Sequence, residues 1–204
     1  CPSKISLVSA YTATQGRSDG ARVFAALLDL ELNFLLLWCD QTQIGDIWNR
    51  WFSKGKLTGG SILDGPDKFF GKMDIHRIST SYVLRYRAFW DKLIGFLVLF
   101  FSCDDYDRFL RAKSRKRFFF KLASSMPEIS DELCNFINQY LEQFDGKFRT
   151  HEAHGPGVLR KWTLSMESMG DNPQVELIGS WNLALLMMQE IGKLFPQTTA
   201  SSNT

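Results

Sequence analysis

Residues 148 to 155 read Phe-Arg-Thr-His-Glu-Ala-His-Gly, which sets Arg149 and His154 five positions apart with Gly155 next in line. An Arg is always charged and presents a planar fork of donors that suits phosphate. A His with an ordinary pKa of about 6.5 takes up and returns protons near neutrality. Together they suit cleavage of RNA by its own 2′-OH, a reaction that needs no metal. His154 would move protons as acid or base, and Arg149 would meet the charge on the phosphorane. On an ideal helix five positions subtend about 140°, at roughly 100° per residue, so one copy makes a poor site. The Gly155-Pro156-Gly157 break can turn His154 away from that geometry. The same residues have a structural use, with Arg149 paired to Glu152 and His154 capping a carbonyl. His151 and His154 also set two imidazoles three positions apart, but the pattern is not H-E-x-x-H and no third ligand follows. No metal or other cofactor is therefore expected.

A second constellation is the basic run Arg108, Arg111, Lys113, Arg115, Lys116, Arg117 and Lys121, with Phe118 to Phe120 inside it. Interleaved cations and rings can grip phosphates and stack bases, and Arg115, Lys116, Arg117 and Lys121 are its candidate nucleic-acid contacts. The alternative is a solvated helix face whose rings turn into the core. Asp104, Asp105 and Asp107 precede the run and offset part of its field.

The element Arg149-x4-His154-Gly155, placed after buried helices and before a final helix, resembles the HEPN superfamily of helical nucleotide-binding and RNase domains. That family's usual motif is Arg, a polar residue (most often Asn), three further residues and His, commonly followed by Gly-Tyr. Here Thr150 stands for the Asn and Pro156 for the Tyr. The resemblance covers roughly residues 81–195. It implies an up-and-down helical bundle, metal-independent RNA cleavage or RNA binding, and a homodimer that brings two motifs together across a groove. A non-catalytic helical module for a protein or nucleotide ligand remains the alternative. His151 to Arg160 also resembles the Fic family's His-x4-Gly-Asn-Gly-Arg loop for AMP transfer. One residue is missing before Gly155, no acidic residue precedes that Gly, and Val158 stands where the Arg belongs.

Composition sets the frame for these residues. A chain of 204 residues that is 45% hydrophobic and 14% aromatic can bury a sizeable core. It lacks the low hydrophobicity and high charge of disorder. A net charge of +2 gives no global field for nucleic acid or anionic lipid, so any basic surface is local. Cys1, Cys39, Cys103 and Cys134 are scattered without a CxxC pair, as expected for buried free thiols in the reducing cytoplasm. Neither apolar run suits a membrane span. Val23 to Cys39 carries Asp29 and Glu31 near its middle. Leu93 to Cys103 is far short of the roughly 20 residues that a span needs. The chain opens on Cys1 rather than Met, which leaves a preceding segment, a signal included, open. There is no P-loop, GxGxxG or G-x-S-x-G signature.

The positioning elements follow from periodicity, and the fold expected is mainly α. Lys4 to Val8 suits a short strand. Ala21 to Asp40 reads as a helix with one polar stripe at Arg22, Asp29 and Asn33, and residues 43–52 as a second short helix. Residues 53–74 hold Gly55, Gly59, Gly60, Gly65, Pro66 and Gly71 and read as loop. The expected division is therefore 1–75, an N-terminal segment with the loop, and 76–196, a helical bundle with the Arg-x4-His motif. His76 carries no hypothesis. Ser81 to Phe101 predicts a helix buried round most of its circumference, with Arg87 and Asp91 paired one turn apart. Residues 104–123 read as helical. Glu128 to Phe144 is amphipathic through Ile129, Leu133, Phe136, Ile137, Tyr140, Leu141 and Phe144, and ends at an Asp145-Gly146 turn. Val158 to Met166 reads as extended. The last helix spans Pro173 to Phe195, capped by Asn172, with an apolar stripe from Leu177 to Ile191. Residues 197–204 read as a disordered tail. Trp90, Trp162, Trp181, Met187 and Met188 are expected in the core.

Overall fold

The computed structural model describes residues 5–51, 66–101, 131–149, 157–164 and 174–195. Within them the chain is helical, with α1 (Leu7–Gln15), α2 (Gly20–Trp51), α3 (Pro66–Phe100), α4 (Asp131–Phe144), α5 (Val158–Leu164) and α6 (Gln174–Lys193). A π-helical turn, Asp145–Arg149, continues α4. The mainly α expectation holds, and no strand occurs among the described residues.

The expected strand at Lys4 to Val8 is not formed. Ser6 instead caps α1, its hydroxyl accepting the N–H of Ser9 at 3.3 Å. The cap satisfies a donor that the first turn would leave open. After Gly16 the chain doubles back into α2. Here Gly20 is obligatory, because a Cβ at this position would lie 1.9 Å from the Thr14 carbonyl oxygen. Only a residue without a side chain fits so close an approach. Arg17 holds the corner. It pairs with Asp19 at 2.8 Å and donates to the carbonyls of Phe100 at 2.7 Å and Leu99 at 3.2 Å. Those two oxygens are among the ones a helix leaves open at its end.

α2 and α3 form a long antiparallel pair. Asp40 meets Ser81 and Arg85, Asp29 meets Lys92, and Arg17 reaches the last turn of α3, so rising number on one helix matches falling number on the other. The expected break near residue 43 is absent. Thr42 bonds back to the carbonyl of Trp38 inside the helix, and α2 runs on through the second short helix expected there. The glycine-rich stretch is likewise shorter than expected. Pro66 begins α3, where a missing N–H costs nothing. Residues 66–74 and His76 are thus helical, and the boundary expected at 75/76 falls within α3.

The centre of α3 is buried round most of its circumference, as its pattern predicts: Tyr82, Tyr86, Phe89, Trp90, Leu93 and Phe96 are sealed. α6 runs parallel to α3, Ser180 meeting Tyr82 and Phe195 packing on Phe96 and Phe100. Trp181 stacks on Phe34 with centroids 4.9 Å apart. The α4-to-α5 stretch descends α3, with Phe144 on Tyr86 and Trp162 near Lys72. Along α3, then, α2 and the α4-to-α5 stretch run antiparallel and α6 runs parallel. Trp90, Trp162, Met187 and Met188 are buried and Trp181 packs against the core, as expected. In the amphipathic stripes, Ile137, Leu141 and Phe144 are buried, but Phe136 and Ile178 are exposed.

Two more expectations give way. Val158 to Leu164 is helical rather than extended, its first turn closed by the Lys161 N–H on the Gly157 carbonyl at 2.9 Å. Cys39 is exposed rather than buried, and Leu28, Leu32, Leu36 and Trp38 are exposed beside it, because α3 and α6 cover only one side of α2. The helix over 104–123, the Ile129 and Asn172 positions and the tail 197–204 lie outside the described residues.

One core hydrogen bond provides a test. Ser180 donates to the Leu177 carbonyl at 2.6 Å, and the Tyr82 hydroxyl lies 2.7 Å from Ser180 Oγ. A hydroxyl has one proton to give, so Tyr82 is the donor between them. Tyr82→Phe is expected to lower unfolding stability by about 1–2 kcal/mol without changing helix content, as read by urea denaturation.

Candidate functional site

The segment that leads into the Arg149 motif is fixed by three anchors. The first is electrostatic. Arg87 on α3 is 9% exposed, and its Nη1 donates to Asp91 at 2.5 Å while its Nε lies 3.2 Å from Asp145, the first residue of the π-helical turn. The pairing of Arg87 with Asp91 is the one expected from spacing; that with Asp145 is invisible in the sequence, where the partners are far apart. The second anchor is an ion pair from Lys147 to Glu176 on α6. The third is Phe148, fully buried, with its ring 5.1 Å from Phe144. A π-helical turn holds one residue more than an α turn, and such turns are frequent at functional sites. The expected Asp145-Gly146 turn is thus a continued helix, with Arg149 as its last residue.

Past Arg149 the chain re-enters the described residues at Gly157 and packs α5 on α3. Leu159, Trp162 and Thr163 face inward, and Arg160 and Lys161 are exposed. The partner of α5 on α3 is Lys72. Its ammonium lies 5.2 Å from the Trp162 ring centroid and 3.4 Å from the Trp162 carbonyl oxygen. The ring face attracts the cation, while burial pushes its pKa down. Sequence alone does not single out Lys72, because it sits in the stretch that reads as loop.

The backbone of Arg149 is therefore placed. His154, His151, Glu152 and the cations Arg115, Lys116, Arg117 and Lys121 lie outside the described residues. Among the described residues no group of three or more His, Cys, Asp or Glu side chains could hold a metal ion. No helix among them is long and apolar enough to cross a membrane.

A separate ionic cluster joins α2 to α3. Asp40 is buried, accepts from Ser81 at 3.2 Å and pairs with Arg85 Nε at 2.9 Å. Burial pushes its carboxyl above the usual carboxylate range against the pull of Arg85. No protein-family model, curated protein or solved structure matches the chain.

Three outcomes follow from these clusters. Arg87→Ala strands the Asp145 carboxylate and removes a buried cation, so chemical denaturation should show a loss of about 3 kcal/mol. Asp91→Asn, on the exposed side, should cost under about 1 kcal/mol. The folded chain also holds the Asp40 proton more tightly than the unfolded chain does. Its contribution to stability therefore falls as pH rises from the ordinary carboxylate pKa through the raised value. The Tm of Asp40→Asn relative to the parent should be more favourable at neutral pH than at about pH 4, near the unperturbed carboxylate pKa.

Proposed function

We propose that this protein is a HEPN-like helical domain that cleaves or binds RNA without a metal, working as a homodimer in the cytoplasm. The observation that carries the reading is the Arg149-x4-His154-Gly155 element beginning on a π-helical turn anchored to α3, to α6 and to the aromatic core. Such anchoring suits a catalytic cation, since a site must be held to within fractions of an ångström. His154 as base takes the proton of the 2′-OH, whose oxygen attacks the adjacent phosphorus. Arg149 neutralises the phosphorane, and the 5′-oxygen leaves with a proton returned by a His. The products are a 2′,3′-cyclic phosphate and a 5′-hydroxyl end. Two copies supply two Arg/His pairs, since one pair makes half a site. Arg115, Lys116, Arg117 and Lys121 hold the backbone of the substrate.

The test is incubation with a mixed RNA pool in EDTA, followed by detection of 2′,3′-cyclic phosphate ends. His154→Ala should abolish cleavage with Tm nearly unchanged, because exposed substitutions shift stability by less than about 0.5 kcal/mol. Arg149→Lys should lose most activity despite keeping its charge, since an ammonium lacks the planar fork. His151→Ala, off the matched motif, should retain activity. A large loss of stability in His154→Ala would mean a structural imidazole and end the reading. Arg115, Lys116 and Arg117 changed together to Ala should weaken RNA binding and flatten its salt dependence, by about 0.7–0.9 in slope for each phosphate no longer neutralised. An unchanged slope would leave them as ordinary surface charge.

A further inference from the structure

α2 carries two apolar faces. Val23, Leu27, Leu30, Phe34 and Leu37 are buried against the rest of the fold. On the other side Ala21, Ala25, Leu28, Leu32, Leu35 and Cys39 recur at intervals of four, three, four, three and four. All are exposed except the half-buried Leu35, and Leu32 is 55% exposed. This is the spacing of a coiled-coil seam, whose period of about 3.5 residues matches the surface of another helix. A helix lying in a lipid interface instead flanks its apolar face with cations. Here one flank carries Arg22 and the Asp29–Lys92 pair at 2.5 Å, and the other carries Phe24 and Trp38, so cations do not border the apolar face on both sides.

The two ends of the seam differ. At the Ala21 and Ala25 end, α1 and α2 enclose a cleft of about 440 Å³, lined by Tyr11, Thr14, Arg17, Phe24 and Leu28 among others. Toward the other end Trp38 projects, 43% exposed. It lies on the same flank as Phe24, because their separation comes to nearly four whole helical turns. A hollow at one end and a protruding ring at the other are self-complementary under a two-fold axis.

We propose that a second copy of this chain occupies the seam, with the two α2 helices antiparallel and each Trp38 seated in the other copy's α1–α2 cleft. The axis passes near Leu30. Leu28 then layers on the partner's Leu32, Ala25 on the partner's Leu35, and Ala21 on the partner's Cys39. The Asp29–Lys92 pairs lie beside the axis head to tail, so their charges alternate. Leu7, Val8 and Tyr11, all exposed on α1, extend the apolar surface around the cleft. A seam about 27 Å long, at roughly 1.5 Å per residue, and about two helix diameters wide with α1 beside α2, covers on the order of 500 Å² per copy, the lower end for a specific interface. This pairing is independent of the nuclease reading. Lys92 and Arg85 reach α2 from the side of α3 opposite Arg87, which reaches the π-helical turn, so the two Arg149 segments are left on outer faces. The dimer required by the nuclease reading is a different contact.

The experiment is sedimentation equilibrium of the full chain at high micromolar concentration, with Tm and helix content checked on each variant. The parent should associate. Leu32→Glu should weaken self-association by roughly a hundredfold or more, because it buries unpaired carboxylates beside the axis. Trp38→Ala should weaken it without adding charge. With Cys1, Cys103 and Cys134 changed to Ser, Ala21→Cys should form a covalent dimer through native Cys39 on mild oxidation. The same background without Ala21→Cys should not, since the two Cys39 residues lie about 27 Å apart at roughly 1.5 Å per residue. A monomeric parent, or a monomer that sediments with phosphatidylcholine vesicles, overturns the proposal. So does a dimer indifferent to Leu32→Glu, or a Cys39-to-Cys39 cross-link, which would require parallel helices. RNA cleavage by these same variants reports separately on the motif.

Discussion

The middle of α3 is the constraint on which the rest of the structure depends. From Tyr82 to Val98 most side chains are sealed from solvent, and α2, α6 and the α4-to-α5 stretch each cover part of its surface. A helix apolar on most sides cannot stand alone in water, so its burial forces the other helices around it. That burial also explains the positions of the polar groups. Arg87 and Asp40 lie where neighbouring helices close over α3, and each meets an opposite charge. Arg17 does the same for the backbone, covering carbonyls where the buried helix ends.

The arrangement makes the anchoring of the π-helical turn a property of the core rather than of the surface. Asp145 and Phe148 are held by residues of α3 and by the aromatic cluster around Tyr86. α2 contributes differently. One of its sides completes the enclosure of α3, and on the other Leu28, Leu32, Leu36 and Trp38 are exposed, so α2 has no single clean polar face.

Periodicity in the sequence carries the long elements, and for a physical reason. Ser81 to Phe101 is apolar at nearly every angle, a pattern that only a central helix can satisfy. The i,i+4 pair of Arg87 with Asp91 is legible because both partners lie on one turn. Departures come where local signals compete with long-range contacts. Glycines and Pro66 mark a loop, yet Pro66 begins a helix, and Trp162 of α5 meets Lys72 in its second turn. Val158 to Leu164 mixes β-branched residues with helix formers, and it is a helix packed on α3. The exposed side of α2 escapes a sequence reading because apolar composition does not say whether a neighbour is present. For the candidate site, Arg149 and its spacing to His154 are visible, whereas Asp145, Glu176 and Lys72 matter through partners distant in the chain.

The π-helical turn gives chain length a meaning at this point that composition does not. A wide turn is an insertion that a helix has absorbed, and each residue of an α-helix advances the side chain by roughly 100°. Gly146 has open space around its Cα, so a methyl group fits there. Removing that residue altogether is another matter. Asp145 and Phe148 would lose their relative phase, and one could keep its partner only at the other's expense. The segment leading into Arg149 is thus tolerant of what stands at position 146 and intolerant of nothing standing there, a frame-like constraint that an alignment scored on identity alone would overlook.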